Sequence, residues 1–330
     1  MTGSPSLHRR HILAAGPAAA AATIGGSALA QTPAASAPPA GKQAPAVYRY
    51  KVGDIEVSAI HEGIAARPLD DKFVTNAPFA EVQAELQKLF MPTDKLNITF
   101  TPLVVKTSQN LAVIDTGFAD NGPPSAGNFY ANLAAAGIDP KKVDTVIISH
   151  FHGDHISGLK LKDGSDAYPN AKIMVPALEW AFWTDDARAS AAPEGMKGAF
   201  ALVKKNLGGL GDRLVRYEHG KDVIPGIAAV EAIGHTPGHT AFTVTSGNGK
   251  LFVTSDITNH PGLFARNPEW SAVFDMDAAK ARETRKKILD MVAAERMQIA
   301  MYHAPFPATG FIAKQGSGYE YVPAQWLSVL

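Results

Sequence analysis

The strongest constraint in this chain is six consecutive residues, His150-Phe151-His152-Gly153-Asp154-His155, which place four metal-binding side chains directly after the apolar, β-branched run from Val143 to Ser149. Such a run reads as a buried strand, so the cluster falls where a strand ends and the chain turns. Continued strand alternation sends His150 and His152 to one side, and a turn at Gly153 swings Asp154 and His155 toward a second centre. Imidazole and carboxylate donors suit an ion such as zinc, and three protein ligands per ion leave a position for water. The pattern points to a catalytic site rather than a structural one.

More donors follow in matching contexts. His235 lies in the turn-rich loop Gly234-His235-Thr236-Pro237-Gly238-His239-Thr240, Asp256 ends the strand-like Leu251-Phe252-Val253-Thr254-Ser255, and His303 ends Ile299-Ala300-Met301-Tyr302. A lone His-x-His is often a turn or a packing accident. Three strand ends and one loop that converge on seven donors are not.

This spaced set resembles the metallo-β-lactamase superfamily, over roughly residues 48 to 325. Within it, the chain is similar to methyl parathion hydrolase and its lactonase and arylesterase relatives, through Tyr48-Arg49-Tyr50, Gly53-Asp54-Ile55-Glu56-Val57, the His235 loop and Gly318-Tyr319-Glu320-Tyr321-Val322-Pro323. The resemblance implies an α/β fold, the αββα metallo-β-lactamase sandwich. It implies two divalent ions, with zinc expected: His150, His152 and His235 on one, Asp154, His155 and His303 on the other, and Asp256 bridging them together with a hydroxide. Asp154 and Asp256 would serve catalysis. Asp115, after Leu111-Ala112-Val113-Ile114, would orient a ligand imidazole, with a simple strand-end turn equally open, and His239 would support the His235 loop. The substrate pocket would be walled by Phe118, Trp183, Phe200 and Asn259, although the helical spacing of Trp180-Ala181-Phe182-Trp183 by itself reads first as core packing.

Composition sets the outer bounds. A 19% charged and 46% hydrophobic chain of 330 residues can bury one large core, and a formal charge of zero with no basic stripe makes nucleic acid and anionic membrane surfaces poor partners. The absence of cysteine removes disulfides and thiolate ligands, and with them the cysteine-liganded β-lactamases. Arg9-Arg10, a mild apolar stretch and Ala28-Leu29-Ala30 read as a twin-arginine export signal over residues 1–30, followed by a Pro/Ala-rich tether over 31–46 and a folded hydrolase domain over 47–330. A permanent anchor is disfavoured by Pro17 and Gly25-Gly26, so the mature protein is expected in the periplasm, off the membrane, with a homodimer left open.

Strands are expected at 54–60, 99–106, 111–116, 143–149, 172–175, 228–232, 241–245, 251–255 and 298–303, and helices at 77–90, 125–137, 177–188, 195–207 and 277–295. The function that follows is hydrolysis of a lactone, an aryl ester or a phosphotriester with a small apolar or aromatic body. Two alternatives stand beside it. An acyl-homoserine-lactone hydrolase is one, although that group carries a tyrosine where this chain has Asn259. A non-catalytic periplasmic metal-binding protein is the other, disfavoured because a scaffold needs none of the seven donors in particular.

Overall fold

Alternation along the central strands decides the architecture. In the computed structural model, which describes residues 43–330, β1 (Val47–Val52) and β2 (Ile55–Ile60) form a hairpin, and β3 (Gly63–Pro68) and β4 (Lys95–Phe100) form a separate two-stranded ribbon. From β2 the first sheet continues through β5 (Leu103–Lys106), β6 (Leu111–Ile114), β7 (Thr145–Ile147), β8 (Lys172–Pro176) and β9 (Leu214–Tyr217). The second sheet runs in chain order through β10 (Asp222–Ile224), β11 (Ile227–Glu231), β12 (Thr240–Ser246), β13 (Gly249–Val253), β14 (Gln298–Ala300), β15 (Thr309–Gln315) and β16 (Gly318–Pro323).

Val104, Val113 and Val146 point to an outer core, while their neighbours Leu103, Val105, Ala112, Ile114 and Ile147 point inward, to a core shared with Ile227, Phe242, Leu251 and Val253 of the second sheet. Helices cover both outer faces. α1 (Phe79–Lys88) packs beside the ribbon, and the first sheet is covered by α2 (Phe129–Ala135), the single turn α3 (Gly153–Ile156), α4 (Ala177–Trp183), α5 (Asp186–Ala191) and α6 (Glu194–Leu207). The second sheet is covered by α7 (Ala278–Ala294), whose Ile288, Leu289 and Val292 pack on Phe252 and Ile299. Parallel pairing of β6 with β7, β8 with β9, and β13 with β14 is what requires the helical crossovers. The result is the metallo-β-lactamase sandwich.

Two expected elements divide. The 99–106 strand breaks at Thr101-Pro102, because proline lacks the amide for a central ladder, so β4 joins the ribbon and β5 the sheet. The 177–188 helix breaks where Asp185 turns extended and accepts from the Arg188 amide, capping α5. The strands at 47–52, 63–68, 214–217, 222–224, 309–315 and 318–323 add to those expected from the sequence pattern. The export signal over 1–30 and the tether up to residue 42 lie outside the described residues; residues 43–46 carry no regular structure. No helix among the described residues is long and apolar enough to cross a membrane.

Candidate metal centre and active-site cleft

The donors at the strand ends sit just beyond the strands rather than on them. His150 follows β7 by three residues, Asp256 follows β13 by three, and His303 follows β14 by three. Strand alternation therefore does not aim His150 and His152. The extended His152 (φ −68°, ψ 155°) instead leads into α3, and Gly153 opens that helical turn, which carries Asp154 and His155. At the same sheet edge Asp115 (φ 58°) and Ser255 (φ 48°) adopt the left-handed conformation, costly for residues other than glycine and held here by the surrounding bonds.

Three imidazole nitrogens converge in a first group. His150 Nε2 lies 3.1 Å from His152 Nδ1, which lies 2.9 Å from His235 Nε2. The far nitrogens of two of these rings are engaged behind them, His150 Nδ1 with the Ser149 hydroxyl at 3.0 Å and His235 Nδ1 with Asp275 Oδ1 at 2.9 Å. Imidazole nitrogens about 2.0–2.1 Å from a tetrahedral zinc stand roughly 3.3 Å apart, close to this spacing. Burial, reinforced by His155, holds His150 well below the ordinary histidine range, and burial with His235 brings His152 down to about 3. Both rings stay neutral with a lone pair to offer.

The second group is Asp154, His155, Asp256 and His303. His155 Nε2 lies 3.3 Å from Asp154 Oδ2 and 3.4 Å from Asp256 Oδ1, and His303 Nε2 lies 2.9 Å from Asp256 Oδ2. Asp256 Oδ2 is also 3.4 Å from His235 Nε2, so this carboxylate faces both groups. Burial alone would lower His155, but Asp154, Asp256 and Asp115 push it well above its ordinary range. Burial would raise Asp154, but His155 and His303 bring it down to about 2. His155 Nε2 and Asp256 Oδ1 are buried with no hydrogen-bond partner. Orphaned donor atoms, converging lone pairs and paired carboxylates fit two metal ions.

Behind the donors, Asp115 accepts from the Ser149 amide and hydroxyl, each at 2.8 Å, and from His155 Nδ1 at 2.9 Å. His303 Nδ1 donates to the Thr99 carbonyl at 2.8 Å. His239 donates from Nδ1 to the Ala232 carbonyl at 2.8 Å and accepts the Asp256 amide on Nε2 at 2.9 Å, which requires the neutral ring. Tyr302 donates to the Asp154 carbonyl at 2.6 Å. The sequence singled out neither Asp275, in an irregular segment without periodicity, nor Arg285, a buried α7 arginine 3.2 Å from Asp275 Oδ2.

The donors open into a cleft of about 530 Å³ walled by Ala65 to Pro68, Ile98, Phe100, Phe118, Asn259 and Phe274. Phe118 meets Phe100 edge to face at 5.1 Å, and Phe100 meets His303 at 5.5 Å. Glu62, fully buried, accepts the amides of Phe118, Gly127 and Phe129 and fixes that wall. Phe118 and Asn259 are thus at the cleft. Trp183 and Phe200 are not: α4 and α6 carry them to the opposite side of the metal loop, where their rings pack 4.9 Å apart in the outer core and border a separate cavity. The helical-spacing reading holds for them, and the aromatic wall is Phe100, Phe118 and Phe274 instead.

The model of the metallo-β-lactamase superfamily matches residues 101–299, more than half of the chain, and the chain belongs to that superfamily. The dizinc quorum-quenching lactonase AidC, solved with the product N-hexanoyl-L-homoserine, is 26% identical with a TM-score of 0.81, covering 86% of this chain and 99% of that one. The hydrolase AbOPH of the β-lactamase superfamily is 28% identical with a TM-score of 0.81, covering 87% and 100%. An N-acyl homoserine lactonase of a Bacillus species is 21% identical over 232 residues, 64% of this chain and 84% of that one. The protein is a hydrolase of this superfamily.

Proposed function

We propose that the protein hydrolyses lactones and aryl esters with two zinc ions held by His150, His152 and His235 and by Asp154, His155 and His303, with Asp256 shared. The observation that carries this reading is the meeting of two converging donor groups at the floor of one apolar cleft. When bound there, the ions supply Lewis acidity and a water whose pKa is brought toward neutrality. The side chains do the rest. Asp154 lines the cleft and is held ionised, so its carboxylate accepts a hydrogen bond from the attacking water and orients it toward the substrate carbonyl. Phe100, Phe118 and Phe274 receive an aryl or acyl body, and their stacking holds the reacting carbonyl over the donors.

Asn259 favours a lactone bearing an amide. It is the one amide side chain in the lining, and its Oδ1 is buried with no partner, so a substrate N–H would satisfy it. This agrees with the lactonase relatives although the tyrosine of the acyl-homoserine-lactone group is absent. Phosphotriesters are the next class by the same metal chemistry. Export by the twin-arginine route, from Arg9-Arg10, belongs to the proposal as its cellular setting. The test is a hydrolysis screen of amide-bearing lactones, plain lactones, aryl esters and phosphotriesters with metal-loaded and metal-stripped protein. Metal-dependent turnover led by the amide-bearing lactones or aryl esters supports the reading, and no turnover in any class defeats it.

A further inference from the structure

Glu179 has no role among the donors, yet it is 0% exposed and placed between two of the loops that carry them. Its carboxylate accepts the Phe151 amide on Oε2 at 3.1 Å, the Trp183 indole N–H on the same oxygen at 2.8 Å, and the Gly238 amide on Oε1 at 2.6 Å. Phe151 lies between His150 and His152, and Gly238 lies three residues beyond His235. The approach leaves no room for a side chain at Gly238, where a Cβ would collide with the Glu179 backbone nitrogen. One carboxylate on α4 thus joins the two segments that supply all three nitrogens of the first group. The second group has supports of its own: His155 is tied through its carbonyl to the Thr116 amide at 3.0 Å and hydroxyl at 2.7 Å, and its ring to Asp115, while its link to the Glu179 loop runs only through His239, which accepts the Asp256 amide.

We propose that Glu179 is a positioning residue for the first metal ion, clamping the His150–His152 segment to the His235 loop, with the Trp183 indole N–H holding the clamp in place. The inference rests on the binuclear reading above and adds that the two sites are supported separately. Three N–H groups aimed at one buried carboxylate leave no acceptor to replace it, so an amide in its place turns a donor toward a donor and loses at least one bond. Trp183, expected from sequence as a pocket wall, acts here from behind the donors.

The test measures Co²⁺ binding by chelator competition in two single-site backgrounds, His303→Ala keeping the first group and His152→Ala keeping the second. Glu179→Gln is expected to weaken Co²⁺ on the order of 10–100-fold in the first background and far less in the second. Trp183→Phe, which keeps an aromatic ring and removes the N–H, is expected to show the same selectivity with a smaller loss, and it decides the matter if Glu179→Gln does not fold. Equal weakening in both backgrounds, or none in the first, overturns the inference while the binuclear reading stands. Failure of the unsubstituted protein to bind Co²⁺ at all overturns both.

Discussion

The two donor groups lie side by side at one sheet edge but are built on different principles. The first is three imidazoles, two of them pressed toward neutrality by burial, with its acids, Asp275 and Glu179, set behind the rings and loops. The second mixes two imidazoles with Asp154 and Asp256, and its rings are pushed toward the charged form by those carboxylates. A set of imidazoles alone binds a cation only as well as its lone pairs are aimed; a set with carboxylates attracts it by charge and tolerates looser aim. Where the donors lack charge, the protein relies on orientation.

The most damaging change to this arrangement is at the one side chain that faces both groups. Asp256→Asn should reduce metal content below two ions per chain and lower kcat/KM by far more than the ~10–100-fold expected from losing an outer hydrogen bond, measured by elemental analysis and steady-state kinetics. His152→Ala should empty the first site alone, leaving one ion and a folded protein with turnover down by orders of magnitude. Retention of two ions in His152→Ala would erase the distinction between the groups.

Without metal, the groups should titrate in opposite directions. His152 and His239, both lowered to about 3, bind fewer protons folded than unfolded, so their stabilisation is full above the unfolded pKa of 6.5 and is lost as pH falls toward 3. The linkage amounts to at most about 5 kcal/mol per residue. His155 and His303 are raised, so their contribution is full below 6.5 and fades as pH rises through their folded values. Thermal melts of stripped protein should show the acid slope flattened by His239→Gln and the alkaline slope flattened by His303→Ala. Asp275→Asn comes next: it should weaken the first ion about 10–100-fold and cost about 3 kcal/mol of stability, because the Arg285 charge loses its buried partner. The smallest effect concerns the walls. Phe118→Ala should erase about 1–3 kcal/mol of preference for bulky aryl over short aliphatic substrates, whereas Trp183→Ala should lower stability and leave that preference intact.

The donors were legible because His, Asp and His at successive strand ends, in register with a His-x-His-x-Asp-His string, rarely arise from packing alone, and the apolar runs before them locate the central strands. What stayed hidden was held by tertiary contact. Asp275 and Glu62 are single acids in segments with no periodic signal, Glu179 is one acid on an expected helix with nothing in the sequence to mark it, and most of their partners are backbone amides and rings 28 to 67 residues away. Family likeness put the Trp183 side chain at the pocket wall, but helix spacing says which residues share a face, not which side of the metal loop that face meets. The edge strand β10 and the penultimate strand β15 carry mixed or exposed patterns, so alternation marks them weakly.

The central claim is a binuclear hydrolase site formed by these seven side chains. It is tested most directly by titrating stripped protein with Zn²⁺ while following hydrolysis of an N-acyl homoserine lactone or an aryl ester. The account predicts saturation at two ions per chain, with turnover rising as the sites fill and returning to background when a chelator removes them. Saturation at one ion or none, or undiminished turnover in the stripped protein, would contradict it.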